Sequence, residues 1–582
     1  MHKSILILVL ATAMLAGCSV NPVTGERELV LMSTAQEIEM GRQSYVPMQQ
    51  SQGGQYDIDP ELTAYVRNVG VKVASQSGVN LPYEFVVLNN SVPNAWALPG
   101  GKIAINRGLL TELESEAELA AVLGHEAVHA AARHSAQQQT RAMIMQAGVM
   151  GTAIAASDSD YGGLIAGGAS VLAQMGLAKY GRSAELESDR YGMQYMAKAG
   201  YDPQGAVDLQ ETFVRLSEGR QSDWLSGLFA SHPPSRERVE ANRATAATFP
   251  PGGFEGKAEY AAAMARTMQL KPAYDAYDEG RKALSEQQID TALARVEQAL
   301  DLFDGEAHFH ALRGDIRLVQ KNYDWAATNY TRAIERRDDF FYYHLQRGLA
   351  RKELGQQDGA VADLERSLQL FPTAPAHLAL GDISMQRGDR TAALEHYRVV
   401  AKSGGEYGKA AAAQVARIDL SSNPTAYIAH ACSADANAKL VVSIRNDSQV
   451  IVSGVQVAVS YTDDYGQQQH RRYRVGGRVE PGEIEAALAR LLGTDSVPVA
   501  GARLCHHTSA PRSAIAAIAW PIAAARRRRK PAVASSTTAA RMKGFDVRPI
   551  DTLVCTICDP PGSGPSGSER TLYPCDEIFK LF

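Results

Sequence analysis

The chain opens on an apolar run, Ile5 to Leu15, interrupted only by Thr12 and preceded by His2 and Lys3. That run falls short of the ~20 residues a membrane-spanning helix needs, so it reads as an export signal. Asn21, Pro22 and Gly25 then break regular structure, and Ser33 is placed to cap a first helix. Between residues 60 and 250 the apolar positions recur mostly at helical spacing. Two shorter runs, Tyr83 to Leu88 and Lys102 to Asn106, read instead as strands, separated by Pro93, Pro99, Gly100 and Gly101. Ala142 to Ala178 is rich in Ala, Gly and Met, but Ser157 to Asp160 divides it into pieces too short to span a bilayer. It is expected to form a lid or a membrane-facing surface. Residues 425–495 alternate apolar and polar, as in Leu440 to Ile444 and Val455 to Tyr461, which predicts a small β-rich domain of sandwich type. Beyond about residue 500 no rhythm remains. The basic run Arg526 to Lys530 and the Gly/Pro/Ser-rich stretch Pro560 to Ser568 predict disorder there.

From about 270 to 415 the pattern is periodic. Gly280, Gly314, Gly348 and Gly381 recur at intervals of 34, 34 and 33 residues. Twelve residues after each stands an alanine (Ala292, Ala326, Ala360, Ala393), and four further on a larger side chain (Val296, Tyr330, Leu364, Tyr397). Small residues at fixed phase let paired helices approach closely, and the bulky ones fill the stack between pairs. The period resembles the tetratricopeptide repeat, which implies an all-α solenoid with a protein-binding face. At 582 residues the chain is too long for one core, and 45% apolar with 21% charged residues is a globular composition. A net charge of −5 gives no reason to expect nucleic acid as a partner. Six cysteines are too few to staple so long a chain.

The segment that carries chemistry is Leu119-Ala120-Ala121-Val122-Leu123-Gly124-His125-Glu126-Ala127-Val128-His129, entered through Glu112, Glu114, Glu116 and Glu118. His125 and His129 lie four apart, so both imidazoles leave one face of a helix and can grip one metal, with Glu126 beside them to take a proton from water. The preceding turn is apolar, which predicts that this helix is buried and that its histidines need a partner. A catalytic zinc takes three protein ligands and leaves a fourth position open. A third histidine ten residues after His125 is ruled out, because that position is Ser135 and His134 misses it by one. A glutamate from a later helix remains. Glu185 and Asp189 share a helix face, so Glu185 can bind the metal while Asp189 receives the outer N–H of a ligating histidine. Glu187 points roughly 160° away from Glu185 and is the poorer candidate.

These residues make the chain similar to peptidase family M48, gluzincins that include prenyl-protein proteases and periplasmic lipoprotein proteases. The resemblance covers residues 20–245: Asn21 to Gly25, Asn94 to Gly101, Gly108 to Leu110, the histidine motif, Glu185 to Asp189, and Ser231 to Arg238. It implies an α+β zincin-like metalloprotease domain with one zinc held by His125, His129 and Glu185, and Glu126 as general base. It also implies that His232 lies at the cleft, either filling the open zinc position or donating to the oxyanion, and that Arg238 positions groups there. The strand through Asn94, Ala97, Pro99 and Gly100 is expected to bind substrate by strand addition.

Leu15-Ala16-Gly17-Cys18 resembles the lipobox of bacterial lipoproteins, which implies lipidation of Cys18 and a periplasmic protein anchored to a membrane. Ser19 after the cysteine favours the outer membrane. The expected domains are therefore 1–18 signal peptide, 19–55 tether and first helix, 56–250 metalloprotease, 265–418 repeats, 425–500 β-rich domain and 501–582 disordered tail. The expected function is zinc-dependent endopeptidase action on unfolded or misassembled proteins. Partners reached through the repeats are unfolded outer-membrane proteins or the machinery that assembles them. The competing reading is a chaperone-like or scaffolding lipoprotein whose zinc site is gated or silent. A lipid- or prenyl-directed protease is a weaker third.

Overall fold

A hairpin, Cys18–Val20 paired antiparallel with Arg27–Leu29, leads into the helix Thr34–Ser51, where Ser33 and Gln36 form the reciprocal cap its sequence calls for. The computed structural model describes residues 18–150, 180–219, 232–434, 440–462, 468–474, 478–482 and 484–487, with two further short strands at 517–519 and 554–556. Contacts divide the chain into two compact units, 1–403 and 404–582. The expected signal peptide before Cys18, and most of the expected lid between 142 and 178, lie outside the described residues. Among the described residues no helix is long and apolar enough to cross a membrane.

In the first unit a three-stranded sheet runs in the order Glu84–Leu88, Lys102–Asn106, Ala95–Leu98, the first pair parallel and the second antiparallel. Both expected strands are present, and Ala95–Leu98 adds an edge. The helix Glu116–Ala131 packs beneath this sheet. Ser115 caps it by accepting from the Glu118 N–H, and Glu116 and Glu118 place negative charge in its first turn, where the helix dipole favours it. All of its residues are buried, as the apolar turn before its histidines predicts.

The helix Lys257–Ser285 runs without a break from the peptidase into the repeats. At its start the Tyr260 hydroxyl donates to the Leu110 carbonyl at 2.6 Å; near its end Gly280 begins the repeat pattern. A domain border at 250–265 therefore passes through the beginning of one continuous element rather than through a linker.

Helical pairs follow, from Ile289–Leu302 to Arg390–Ala401. Ala292, Ala326, Ala360 and Ala393 are fully buried, and a methyl group on Gly314, Gly348 or Gly381 would collide with Tyr330, Leu364 or Tyr397 at 2.8, 2.8 and 2.5 Å. The small-then-large phase of the sequence is this contact between the two helices of each pair.

The second unit holds the helix Gly405–Asp419 and several small sheets. Leu440–Asn446 is the centre of one, flanked antiparallel by Ile428–Ala434 and Ile484–Ala487. Gln456–Thr462 pairs with Gln468–Arg474, and also with Ala517–Ala519 and Val554–Thr556. Those two short strands fall in the stretch expected to be disordered; the rest of that stretch lies outside the described residues.

Candidate metal centre

The site is built where the helix Glu116–Ala131 crosses the helix Arg182–Lys198 at two glycines. A methyl group on Gly192 would lie 2.8 Å from the His125 backbone nitrogen, and one on Gly124 would lie 2.9 Å from the Gly192 carbonyl oxygen. Only hydrogen at both positions allows this approach, and it sets Glu185 and Asp189 opposite His125 and His129.

His125, His129, Glu185 and His232 are all buried, and each offers one donor atom within 4.8 Å of the others. The two Nε2 atoms of His125 and His129 are 3.0 Å apart. Glu185 reaches them at 3.6 and 3.5 Å, and His232 Nδ1 lies 3.3 Å from His125 Nε2 and 3.0 Å from Glu185 Oε1. His125 Nδ1 lies 2.9 Å from Asp189 Oδ1, so it carries the proton it donates there and its Nε2 lone pair is left facing the cluster. Tetrahedral zinc with Zn–N bonds of about 2.0–2.1 Å holds its nitrogen ligands about 3.3 Å apart, close to these separations. Imidazole nitrogens and a carboxylate converging on one buried point fit a zinc ion.

Charge around this point is arranged by burial and pairing. Burial pushes the Asp189 carboxyl up, but Arg238 and His125 outweigh it and hold the group below its ordinary range. Arg238 grips Asp189 through two bonds of 2.7 Å and also meets Glu185 Oε2 at 2.9 Å. Glu185 too is lowered: burial opposes ionisation, and the imidazoles of His232 and His129 outweigh burial. His129 is depressed by burial and so stays neutral, as a ligand must. Burial raises the Glu126 carboxyl. Its Oε2 has no hydrogen-bond partner, and Oε1 lies 3.6 Å from His232 Nε2. Glu126 lines a cavity whose other walls mix apolar side chains, among them Ala95, Val122, Leu209 and Phe213, with the polar Gln210 and Asn242.

Every residue expected at the metal thus comes together, with His232 and Arg238 arriving from a separate segment. The expected substrate strand is placed less uniformly. Asn94 and Ala97 are buried beside and within the edge strand, and Asn94 Oδ1 has no partner. Pro99 and Gly100 instead pack on the helix Thr34–Ser51: a methyl group on Gly41 would lie 1.8 Å from the Pro99 oxygen, and one on Gly100 would lie 2.6 Å from Ile38 Cα. This contact closes that turn against the helix. Sequence reasoning also missed Tyr180, whose ring stacks on His129 at 3.9 Å while its hydroxyl meets Ser135 Oγ at 3.0 Å. It set aside His134 and Glu187 as well. His134 Nδ1 lies 2.9 Å from His129 Nδ1, and His134 Nε2 lies 3.4 Å from Glu187 Oε1.

Comparison with known proteins agrees with this geometry. Residues 60–246 match the model of peptidase family M48, and residues 271–407 match that of a bacterial transcriptional activator domain. The beta-barrel assembly-enhancing protease of Escherichia coli (strain K12) is 28% identical over 265 residues, 44% of this chain and 52% of that protein. The putative beta-barrel assembly-enhancing protease of Vibrio cholerae is 33% identical over 244 residues, covering 40% and 50%. The mitochondrial metalloendopeptidase OMA1 of Schizosaccharomyces pombe is 35% identical over 180 residues, covering 30% and 51%. The chain spans about half the length of these relatives. Among solved structures, the Arabidopsis OM64 TPR domain shares 22% identity over 20% of this chain and 98% of that one, but a TM-score of 0.20 decides nothing about the fold. With its ligand helices and its matched segment coinciding, the chain carries a peptidase family M48 domain and is homologous to the beta-barrel assembly-enhancing proteases.

Proposed function

We propose that this chain is a zinc-dependent endopeptidase of the bacterial cell envelope that hydrolyses unfolded or misassembled proteins. One observation carries the reading: a buried carboxylate, Glu126, with an unpartnered oxygen stands beside two histidine Nε2 atoms 3.0 Å apart. His125, His129 and Glu185 would hold the metal. When bound, zinc supplies a Lewis acid that polarises the scissile carbonyl and acidifies water. Glu126 takes the proton from the attacking water and returns it to the leaving amine. Asp189 keeps His125 in the ligating tautomer, and Arg238 holds both Asp189 and Glu185 in place. The edge Ala95–Leu98 is where an extended peptide would pair, since Ala95 lines the same cavity as Glu126.

Cys18 would carry the lipid that anchors the protein at the periplasmic face of the outer membrane, and the repeats would present polypeptides or contact the assembly machinery. The names of the relatives and the Leu15-to-Cys18 motif support this placement.

The position of His232 favours a gated form of this reading. Its Nδ1 sits where a fourth ligand would sit, 3.0 Å from Glu185 and 3.3 Å from His125. A site closed in this way would let the protein act mainly as a docking scaffold until His232 withdraws. The test is hydrolysis of an unfolded protein by the full chain, with bound zinc quantified, for wild type, Glu126→Gln and His232→Ala. Cleavage lost in Glu126→Gln and altered in His232→Ala, with about one zinc in each, is expected. Absence of zinc from the wild type refutes the reading. Zinc without cleavage in wild type, with cleavage appearing in His232→Ala, establishes the gate.

A further inference from the structure

We propose that His134 and Glu187 are positioning residues for the metal. They form the outer support of His129, and Asn21 and Ser19 of the N-terminal hairpin lock that support, so that tight zinc binding requires the hairpin to be seated. The inference rests on the metal site read above and concerns residues that do not ligate.

The two histidine ligands are held from outside in different ways. His125 leans on Asp189, a carboxylate fixed by the Arg238 fork. His129 leans on His134, a second imidazole. Assigning protons inward from the carboxylates settles the direction of this relay. With the Glu187 carboxylate 3.4 Å from His134 Nε2, electrostatics favours the proton on Nε2, which leaves Nδ1 as an acceptor. His129 then donates from Nδ1, and its Nε2 lone pair faces the metal point. The next link is in the hairpin. Asn21, 2% exposed, donates from Nδ2 to Glu187 Oε1 at 3.1 Å and to Glu28 at 3.2 Å. Its Oδ1 accepts from the Val23 N–H at 2.9 Å, tying the amide to the turn it closes.

A second tie reaches the same histidine through the backbone. Arg133, directly before His134, has a φ of 64°, a left-handed conformation that side-chain-bearing residues adopt at a cost of about 1 kcal/mol. It turns the chain back so that His134 lies over His129. Its guanidinium is held by Ser19 Oγ at 2.6 Å, the Met32 carbonyl at 2.5 Å and the Glu37 carboxylate. Ser19, Met32 and Glu37 all belong to the N-terminal segment. Side-chain relay and backbone turn therefore converge on His134 from the segment between Ser19 and Glu37. A hairpin pulled away would release Glu187 from Asn21 and take the Ser19 hydroxyl from Arg133, leaving the turn held by Met32 and Glu37 alone and His129 less firmly oriented.

The experiment is zinc affinity by chelator competition on the full chain, with the unfolding midpoint of the metal-free protein measured in parallel. His134→Leu should weaken zinc by about 10–100-fold, the usual cost of losing an outer hydrogen-bond partner, with partial rescue in His134→Gln, whose amide oxygen can accept. Asn21→Ala should weaken zinc by a smaller factor, and Asn21→Ala with His134→Leu should be no worse than His134→Leu alone, because both act through one relay. If His134→Leu does not fold, Glu187→Ala, at a more exposed position, serves in its place. Wild-type affinity within about twofold in His134→Leu or Glu187→Ala overturns the proposal. Additive losses in the double variant overturn the link to the hairpin. Absence of zinc from the wild type defeats instead the reading on which the proposal stands.

Discussion

At the junction between the peptidase and the repeats, the buried carboxylate of Glu306 accepts from Asn89 Nδ2 at 2.9 Å, the Tyr274 hydroxyl at 2.5 Å and the His308 backbone N–H at 2.9 Å. Arg107 lies 3.5 Å over the Tyr274 ring, and His308 itself is bonded at both ring nitrogens, to Gly53 and Tyr343. At the metal centre the same kinds of groups are also buried, yet imidazole nitrogens face one another and Glu126 Oε2 has no hydrogen-bond partner. Burying a polar group costs several kcal/mol unless it is paired. Glu306 and His308 avoid that cost, which makes the junction a joint that holds its shape. The metal centre leaves part of it outstanding, and a cation and a reacting water are what would discharge it.

If that contrast is right, substitutions in the two networks should trade stability against chemistry in opposite directions. The largest effect belongs to Glu126→Gln: hydrolysis should fall by about 10²–10⁴-fold, the range for a lost general base, while the unfolding midpoint is no lower than in wild type. A drop in stability as large as the drop in rate would show that Glu126 is structural. Glu306→Ala should do the reverse. It strands three donors at once, so a loss of about 3–5 kcal/mol in urea unfolding is expected, with zinc affinity unchanged. Weakened zinc in that variant would mean the two networks are one.

Gly192→Ala joins the two behaviours, because it forces apart the helices that carry the ligands. A methyl group 2.8 Å from the His125 nitrogen and 3.0 Å from the Gly124 carbonyl carbon meets backbone, which cannot move aside as a side chain would. The expected loss lies near the upper end of the about 1–3 kcal/mol typical of overpacking, together with weaker zinc. Unchanged unfolding and zinc binding would show that the crossing does not set the ligand geometry.

The same contrast explains what was readable in the sequence. His125, Glu126 and His129 were legible because one helix fixes their relative directions, and Glu185 with Asp189 for the same reason. The repeat phase was legible because Gly314 against Tyr330 and Gly381 against Tyr397 recur at constant spacing. His134 was not, because helical spacing was carried past Ala131, where the helix ends and Arg133 turns left-handed. Glu187 was judged by its distance from Glu185's face, correctly; that same direction brings it to His134, a partner the spacing argument did not consider. Pro99 and Gly100 read in sequence as turn residues beside a substrate-binding strand, and their packing contact was not legible because it depends on the arrival of Gly41 from a distant helix.

The smallest expected effect tests the junction through pH. Burial depresses His308 to about 4. In the unfolded chain an unperturbed histidine titrates near pH 6.5. A folded-state value below the unfolded one contributes stability that is fully present above pH 6.5 and is lost as pH falls toward 4, because the unfolded state gains its proton first. The geometry agrees with a neutral ring: Nε2 meets the Gly53 carbonyl at 3.0 Å and Nδ1 meets the Tyr343 hydroxyl at 2.6 Å, so one nitrogen must be an acceptor. Acidification from pH 7 to 4.5 should therefore cost the wild type about 2 kcal/mol more than His308→Gln, which keeps a donor for Gly53 and does not titrate. Thermal unfolding of the metal-free proteins across that range separates the two. Parallel curves would mean that His308 takes up its proton at the same pH folded and unfolded, and that the bonds to Gly53 and Tyr343 do not hold the ring neutral.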